Sequence, residues 1–138
     1  MTMKVERLLV RVMIRDESDV ATAKKRVREL AGKEGMRNAA VDALQKAIAE
    51  VARNIVVRAR EGELFLGVVE QSDRRGIAVV AREIVPGISS SESAIKDCHS
   101  TAGGVELGLS SARGLVDEFE VASTAGEGTT VTMKKWIA

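Results

Sequence analysis

The apolar positions of this chain change period several times, and each change marks an element. Residues 5–14 are dense in Val, Leu and Ile and stop at Asp16 and Ser18. That pattern predicts a strand running into a turn and a helix cap, with Asp19 as a second candidate cap. Val20, Ala23, Val27, Leu30 and Ala31 then fall at helical spacing until Gly32 and Gly35 supply stop signals, which predicts a first amphipathic helix. Val41, Leu44, Ile48, Val51 and Ile55 recur at intervals of 3, 4, 3 and 4, the most regular stripe in the chain, and predict a second helix ended by Gly62.

Beyond Gly62, the stretches Glu63 to Glu70 and Gly76 to Arg82 read as two strands around the polar turn Gln71-Ser72-Asp73-Arg74-Arg75. Residues 83–106 collect Pro86, Gly87, several serines, Gly103 and Gly104, with only Glu92 to Cys98 suited to a helix. An irregular segment of that length is usually functional. Leu109, Ala112, Leu115, Val116 and Phe119 predict a further amphipathic helix. Glu120 to Ser123 and Thr129 to Ile137 predict a closing hairpin turned at Gly126-Glu127-Gly128. The order β-α-α-β-β-loop-α-β-β predicts a two-layer α/β sandwich: a mixed, mostly antiparallel sheet with its helices on one face.

Composition narrows the classes of function. The 138 residues suit one domain, spanning 1–138, that buries a core without disulfides or structural metals. Lys+Arg 21 against Asp+Glu 20 leaves a net charge of +1, which advertises neither nucleic acid nor an anionic membrane. Cys98 is the only cysteine, so no intramolecular disulfide can form, and neither it nor His99 has neighbours at metal-ligand spacing. Both read as loop residues. The start Met1-Thr2-Met3-Lys4-Val5-Glu6-Arg7 lacks a signal-peptide core, and no apolar run approaches the roughly 20 residues needed to span a bilayer. A cytoplasmic location is expected.

Glu50 and Asn54 carry the first chemical signal. Four residues apart on the second helix, they share one face and can present a carboxylate and an amide oxygen to one magnesium-phosphate group. They lie about 100° around the helix from Val51 and Ile55, at the margin of the apolar stripe, where a ligand can reach them. Alone the pair reads as solvated helix surface. Three further segments follow in order, however: Val85-Pro86-Gly87-Ile88, Ser100-Thr101-Ala102-Gly103-Gly104 and Gly126-Glu127-Gly128-Thr129. Glycine-rich backbone of this kind lets N–H groups approach phosphates.

In this order the motifs resemble those of the GHKL ATPases, and within them the small serine/threonine kinases of bacterial partner-switching, stressosome-type modules. The likeness runs from the first strand to Lys135-Trp136 and includes Gly114-Leu115-Val116-Asp117-Glu118-Phe119. It implies the Bergerat ATP-binding fold, ATP with Mg2+ as cofactor, and phosphorylation of a serine or threonine on a STAS-domain antagonist or scaffold. A PP2C-type phosphatase or a sigma factor is a further candidate partner. By the same resemblance Glu50 is the catalytic carboxylate, Asn54 the magnesium ligand, and Glu83 and Gly87 belong to the adenine box. Gly103, Gly104 and Gly108 belong to the phosphate lid, and Thr129 supports the adenine-binding carboxylate through its hydroxyl.

The chain departs from the family pattern at three places. Glu83 stands where the family has Asp, one methylene longer, and Val85 replaces the first glycine of the adenine box, adding bulk and disfavouring positive φ. Glu106 replaces a lid glycine near the phosphates. A carboxylate about 4 Å from a phosphate charge costs on the order of 1–4 kcal/mol, whereas one turned outward at a helix start costs almost nothing. Two alternatives to a working kinase follow: a nucleotide-weak pseudokinase acting as a protein-binding module, and an anti-sigma factor.

Overall fold

The computed structural model describes residues 5–58, 61–84, 111–124 and 128–137, without the side chains of 5–9 and 123–124. Strand β1 (Val5–Ile14) leads into helices α1 (Glu17–Lys33) and α2 (Asn38–Arg58). The hairpin β2 (Gly62–Gln71) and β3 (Arg74–Glu83) follows, and β4 (Glu118–Thr124) with β5 (Gly128–Trp136) forms the second hairpin. The five strands make one sheet in the order β1-β2-β3-β5-β4. Every pairing in it is antiparallel. The α/β sandwich expected from the pattern is the observed architecture.

Local chemistry explains the helix boundaries. Asp16 is the N-cap of α1: its carboxylate accepts from the backbone N–H groups of Ser18 and Asp19, while the Asp19 carboxylate accepts from the N–H of Asp16. The two candidate caps are thus the two halves of one capping box. Hydrogen bonding to Ser18 and to the Asp19 backbone holds the Asp16 carboxyl below its ordinary value. At the other end, Gly35 takes φ +86 and Met36 N–H donates to the Ala31 carbonyl at 3.0 Å. This left-handed step closes α1 and sends the buried Met36 side chain back toward the core before α2 begins.

One face of the sheet carries the core. Val12 and Ile14 of β1, Leu64, Leu66 and Val68 of β2, Ile77, Val79 and Ala81 of β3, and Val131 and Met133 of β5 pack with the apolar stripes of α1 and α2 in one cluster. Alternation along each strand puts every second residue on that face. Leu44 and Ile48 of α2 are fully buried, each contributing about 1.5–3 kcal/mol by area removed from water. No helix among the described residues is long and apolar enough to cross a membrane.

Two details differ from expectation. The first hairpin turns on two residues, Ser72 and Asp73, since Gln71 pairs with Arg74 and Glu70 with Arg75. Ser72 supplies the positive φ of 56 that such a tight turn needs at its first central position. Secondly, after Leu109 the helix is described only for residues 111–115, and Phe119 lies in β4, paired with Met133. Asp117 explains the switch: its N–H donates to the Lys134 carbonyl at 2.9 Å and its carboxylate accepts from Trp136 N–H at 2.7 Å. The chain is thereby tied to β5 before another helical turn can form. Residues 85–110, which hold the expected helix Glu92 to Cys98, lie outside the described residues.

The outward face holds two polar constructions. Trp136 covers Val69 and Ala78, with Arg74 stacked 4.2 Å over its ring. The nearly buried Lys134 ammonium reaches Gln71 Oε1 at 2.9 Å and Glu118 Oε1 at 3.0 Å. Farther along, the Glu63 carboxylate lies between two guanidinia, accepting from Arg11 at 2.6 and 2.8 Å and from Arg82 at 2.8 Å. Its carboxyl is held below the ordinary range, chiefly by the hydrogen bonds from Arg11 and then by the charges of Arg11 and Arg82, against burial. Because the folded state binds this proton more weakly than the unfolded chain, the stabilisation is complete above the unfolded value and fades as pH falls through the lower folded one. Glu63→Gln is therefore expected to destabilise the fold at pH 7 by about 1–2 kcal/mol, a modest figure because both guanidinia are more than half exposed. The variant should also lose less stability than the parent between about pH 5 and pH 3. Urea melts across that range check both statements.

Candidate functional site

Helix α2 divides its surface between three neighbours. Its apolar stripe faces the sheet, and its α1 side is fixed by Gln45, whose amide donates to the Lys24 carbonyl at 2.9 Å, and by Arg53, whose guanidinium meets Glu17 at 2.9 Å. At about 100° per residue, Glu50 lies about 140° from Gln45 and Asn54 about 100° from Arg53. Both are therefore on the flank of α2 that turns away from α1, and both are half-buried. The pair that spacing placed at the margin of the stripe occupies that margin.

The sheet brings two more expected residues together. Glu83 closes β3 on the helix side of the sheet, in phase with Ile77, Val79 and Ala81, and is only 9% exposed. Its Oε1 accepts from the backbone N–H of Thr129 at 3.2 Å. This contact is made by the Thr129 main chain, with Gly128 at φ 79 just before it. Each oxygen of a carboxylate can accept from a separate donor. Ile84 N–H donates to the Glu61 carbonyl at 3.0 Å, which continues the ladder one step past Glu83 and fixes the direction in which the chain leaves β3.

Gly62 joins the two halves of the site. It pairs with Glu83, and a Cβ at this position would lie 2.6 Å from the Arg82 carbonyl oxygen and 2.6 Å from Cγ2 of Ile55. Ile55 follows Asn54 directly, so the last turns of α2 rest on the bare backbone of Gly62 beside Glu83. Ile55 of α2 thus lies beside the strand end that carries Glu83, while Asn54 next to it and Glu50 one turn earlier lie on the flank of the same helix. Sequence reading took Gly62 only as a helix stop; a lone glycine opening a strand also signals close approach of another element.

Gly87, Gly103, Gly104 and Gly108 lie outside the described residues, as do Val85, Cys98, His99 and Glu106. Among the described residues no group of three His, Cys, Asp or Glu side chains could hold a metal ion. A lone amide oxygen such as that of Asn54 suits a hard cation that brings most of its ligands as phosphate and water oxygens.

This arrangement, an α/β sandwich with a carboxylate and an amide on the flank of one helix, belongs to a known class. The family model for the histidine kinase-like ATPase domain matches residues 14–135, and the chain belongs to that family. More narrowly, it is similar to the serine/threonine-protein kinase RsbT of Bacillus subtilis (strain 168), with 33% identity over 126 residues covering 91% of this chain and 95% of RsbT.

Proposed function

We propose that the chain is an ATP-dependent protein-serine/threonine kinase of a bacterial partner-switching pathway, acting on a STAS-domain partner in the cytoplasm. What supports this reading is the carboxylate–amide pair Glu50 and Asn54 on one flank of α2 and the buried Glu83 carboxylate held by the Thr129 main chain, in a chain similar over nearly its whole length to a serine/threonine-protein kinase.

In this reading the acceptor hydroxyl oxygen forms a bond to the γ-phosphorus of ATP, the bond from that phosphorus to the β,γ-bridging oxygen breaks, and ADP leaves. Glu50 orients the hydroxyl and takes its proton. Asn54 would hold magnesium, which would compensate the charge spread over the phosphate oxygens. Glu83 receives the adenine amino group on the oxygen not engaged by Thr129. Gly87 gives room to the base, and Gly103, Gly104 and Gly108 offer backbone N–H groups to the phosphates. The test is transfer of labelled γ-phosphate to a purified STAS-domain protein, preceded by calorimetric titration with ATP with and without magnesium. Micromolar, magnesium-dependent binding followed by transfer supports the proposal; no heat at millimolar ATP defeats it.

One observation favours a nucleotide-weak binding module instead. Glu83 is one methylene longer than the family's Asp, and it is buried and tied to β5, which limits how far its carboxylate can adjust to a ligand. Glu106 would add repulsion at the phosphates. Under this second reading Glu106→Gly raises ATP affinity about tenfold or more, corresponding to removal of at least ~1.4 kcal/mol. Unchanged affinity in the titration removes the repulsion argument.

A further inference from the structure

We infer that the exposed ridge of α2 beside Glu50 is the docking surface for the protein that supplies the acceptor hydroxyl, with Val57 and Lys46 as its recognition points. The inference rests on the kinase reading above. Counting 100° per residue from Glu50, Asn54 lies about 40° toward the buried stripe, whereas Val57, Lys46 and Arg53 lie about 20°, 40° and 60° to the opposite, solvent side. All three are exposed, while Glu50 and Asn54 are half-buried. Glu50 thus stands between two territories: Asn54 marks the side for the nucleotide, and the ridge marks the side open to a second reactant.

Size brings the acceptor onto this ridge. At about 1.5 Å per residue, Lys46 lies about 6 Å before Glu50 along the helix axis and Val57 about 10 Å beyond it. A stable protein interface covers about 800 Å² of each partner, equivalent to a disc roughly 16 Å in radius. A folded protein that brings a hydroxyl to Glu50 from the solvent side therefore covers both positions.

The ridge also states what that protein carries. Val57 and Val121 are the exposed large apolar side chains among the described residues, and Val57, at 80%, is the more exposed. A single such residue is ordinary surface, but a β-branched side chain forms helix less well than alanine or lysine, so a solvated ridge gains nothing from it. Its value lies in being in line with Glu50. Of the two cations, Arg53 is engaged with Glu17 at 2.9 Å, whereas Lys46 takes part in no ion pair among the described residues. The matching acceptor surface presents a carboxylate about 6 Å from the phosphorylated hydroxyl on one side and an apolar side chain about 10 Å from it on the other.

The experiment is steady-state phosphate transfer by the full chain with ATP, magnesium and a purified STAS-domain protein as acceptor, beside calorimetric titration of the same two proteins without nucleotide. Val57→Ala and Lys46→Glu, both at exposed helical positions, should each raise the KM for the acceptor about tenfold and weaken the direct titration to match. ATP affinity and the rate at saturating acceptor should stay within about twofold of the parent, a split that a merely structural role would not produce. Added salt should weaken binding by the parent and by Val57→Ala, and not by Lys46→Glu. Two variants that keep the parent's KM and titration curve overturn the inference. So does a loss that appears equally in ATP affinity, or a parent that does not bind the STAS-domain protein. A parent that binds the acceptor without transferring phosphate, and loses that binding in both variants, keeps the docking surface and defeats the kinase reading instead.

Discussion

Glu50→Gln is expected to lower phosphoryl transfer by about 10²–10⁴-fold while leaving ATP affinity close to that of the parent. The amide has nearly the volume of the carboxylate and keeps an oxygen to accept the acceptor hydroxyl, but it cannot take the proton. Because Glu50 is half-buried on the flank of α2 and outside the fully buried stripe, the exchange leaves the core unchanged. Asn54→Ala provides the contrast, since it should remove the magnesium dependence of binding. Single-turnover transfer to a STAS-domain protein, read beside calorimetry, separates the two effects. A Gln variant that transfers phosphate at the parent rate would remove Glu50 from the chemistry.

Gly62→Ala carries the largest expected effect on stability. The new methyl group would meet the Arg82 carbonyl oxygen and the Ile55 side chain, both at 2.6 Å, and neither is the free end of a flexible chain. Relief requires α2 to lift from the sheet or β2 to shift against β3. Overpacking of this kind costs about 1–3 kcal/mol, or roughly 3–12 °C in melting temperature for a domain of this size. Because Ile55 follows Asn54 and Gly62 pairs with Glu83, nucleotide affinity should fall along with stability. Gly32→Ala is the control: nothing lies within 4 Å of its added Cβ, and an exposed helical glycine gains about 0.5–1 kcal/mol on becoming alanine. Thermal melts of the two variants should move in opposite directions.

Elements with a sustained period were readable from the residues alone. The stripes of α1 and α2 place most of the residues those helices bury, because burial on one face is what such periods record; β2 and β3 bury positions on both faces of the sheet and show no such period. Phe119 shows where the reading fails. Its spacing from Ala112 and Leu115 fits a helix, but a backbone tie from Asp117 to β5 decides the matter, and long-range hydrogen bonds leave no local pattern. The hairpin turn contracted for a related reason: Ser72 adopts a left-handed conformation that its identity does not announce. Of the site, Glu50 and Asn54 were visible through helical geometry. Glu83 and Thr129 entered through family resemblance, and the main-chain donor between them required coordinates. Gly62 was seen as punctuation, since its second role depends on which side chain happens to rest on it.

Trp136, the only tryptophan of the chain, has an optical consequence. Its ring lies under the Arg74 guanidinium on the outward face, with the Lys134 ammonium 5.2 Å from its centroid, and the sheet separates it from Glu50 and Asn54. Intrinsic fluorescence should therefore be silent to events on the helix side, and sensitive to whatever displaces those two cations or covers the far side of the sheet. Emission from one indole becomes a label-free reporter of that face, already installed by the sequence.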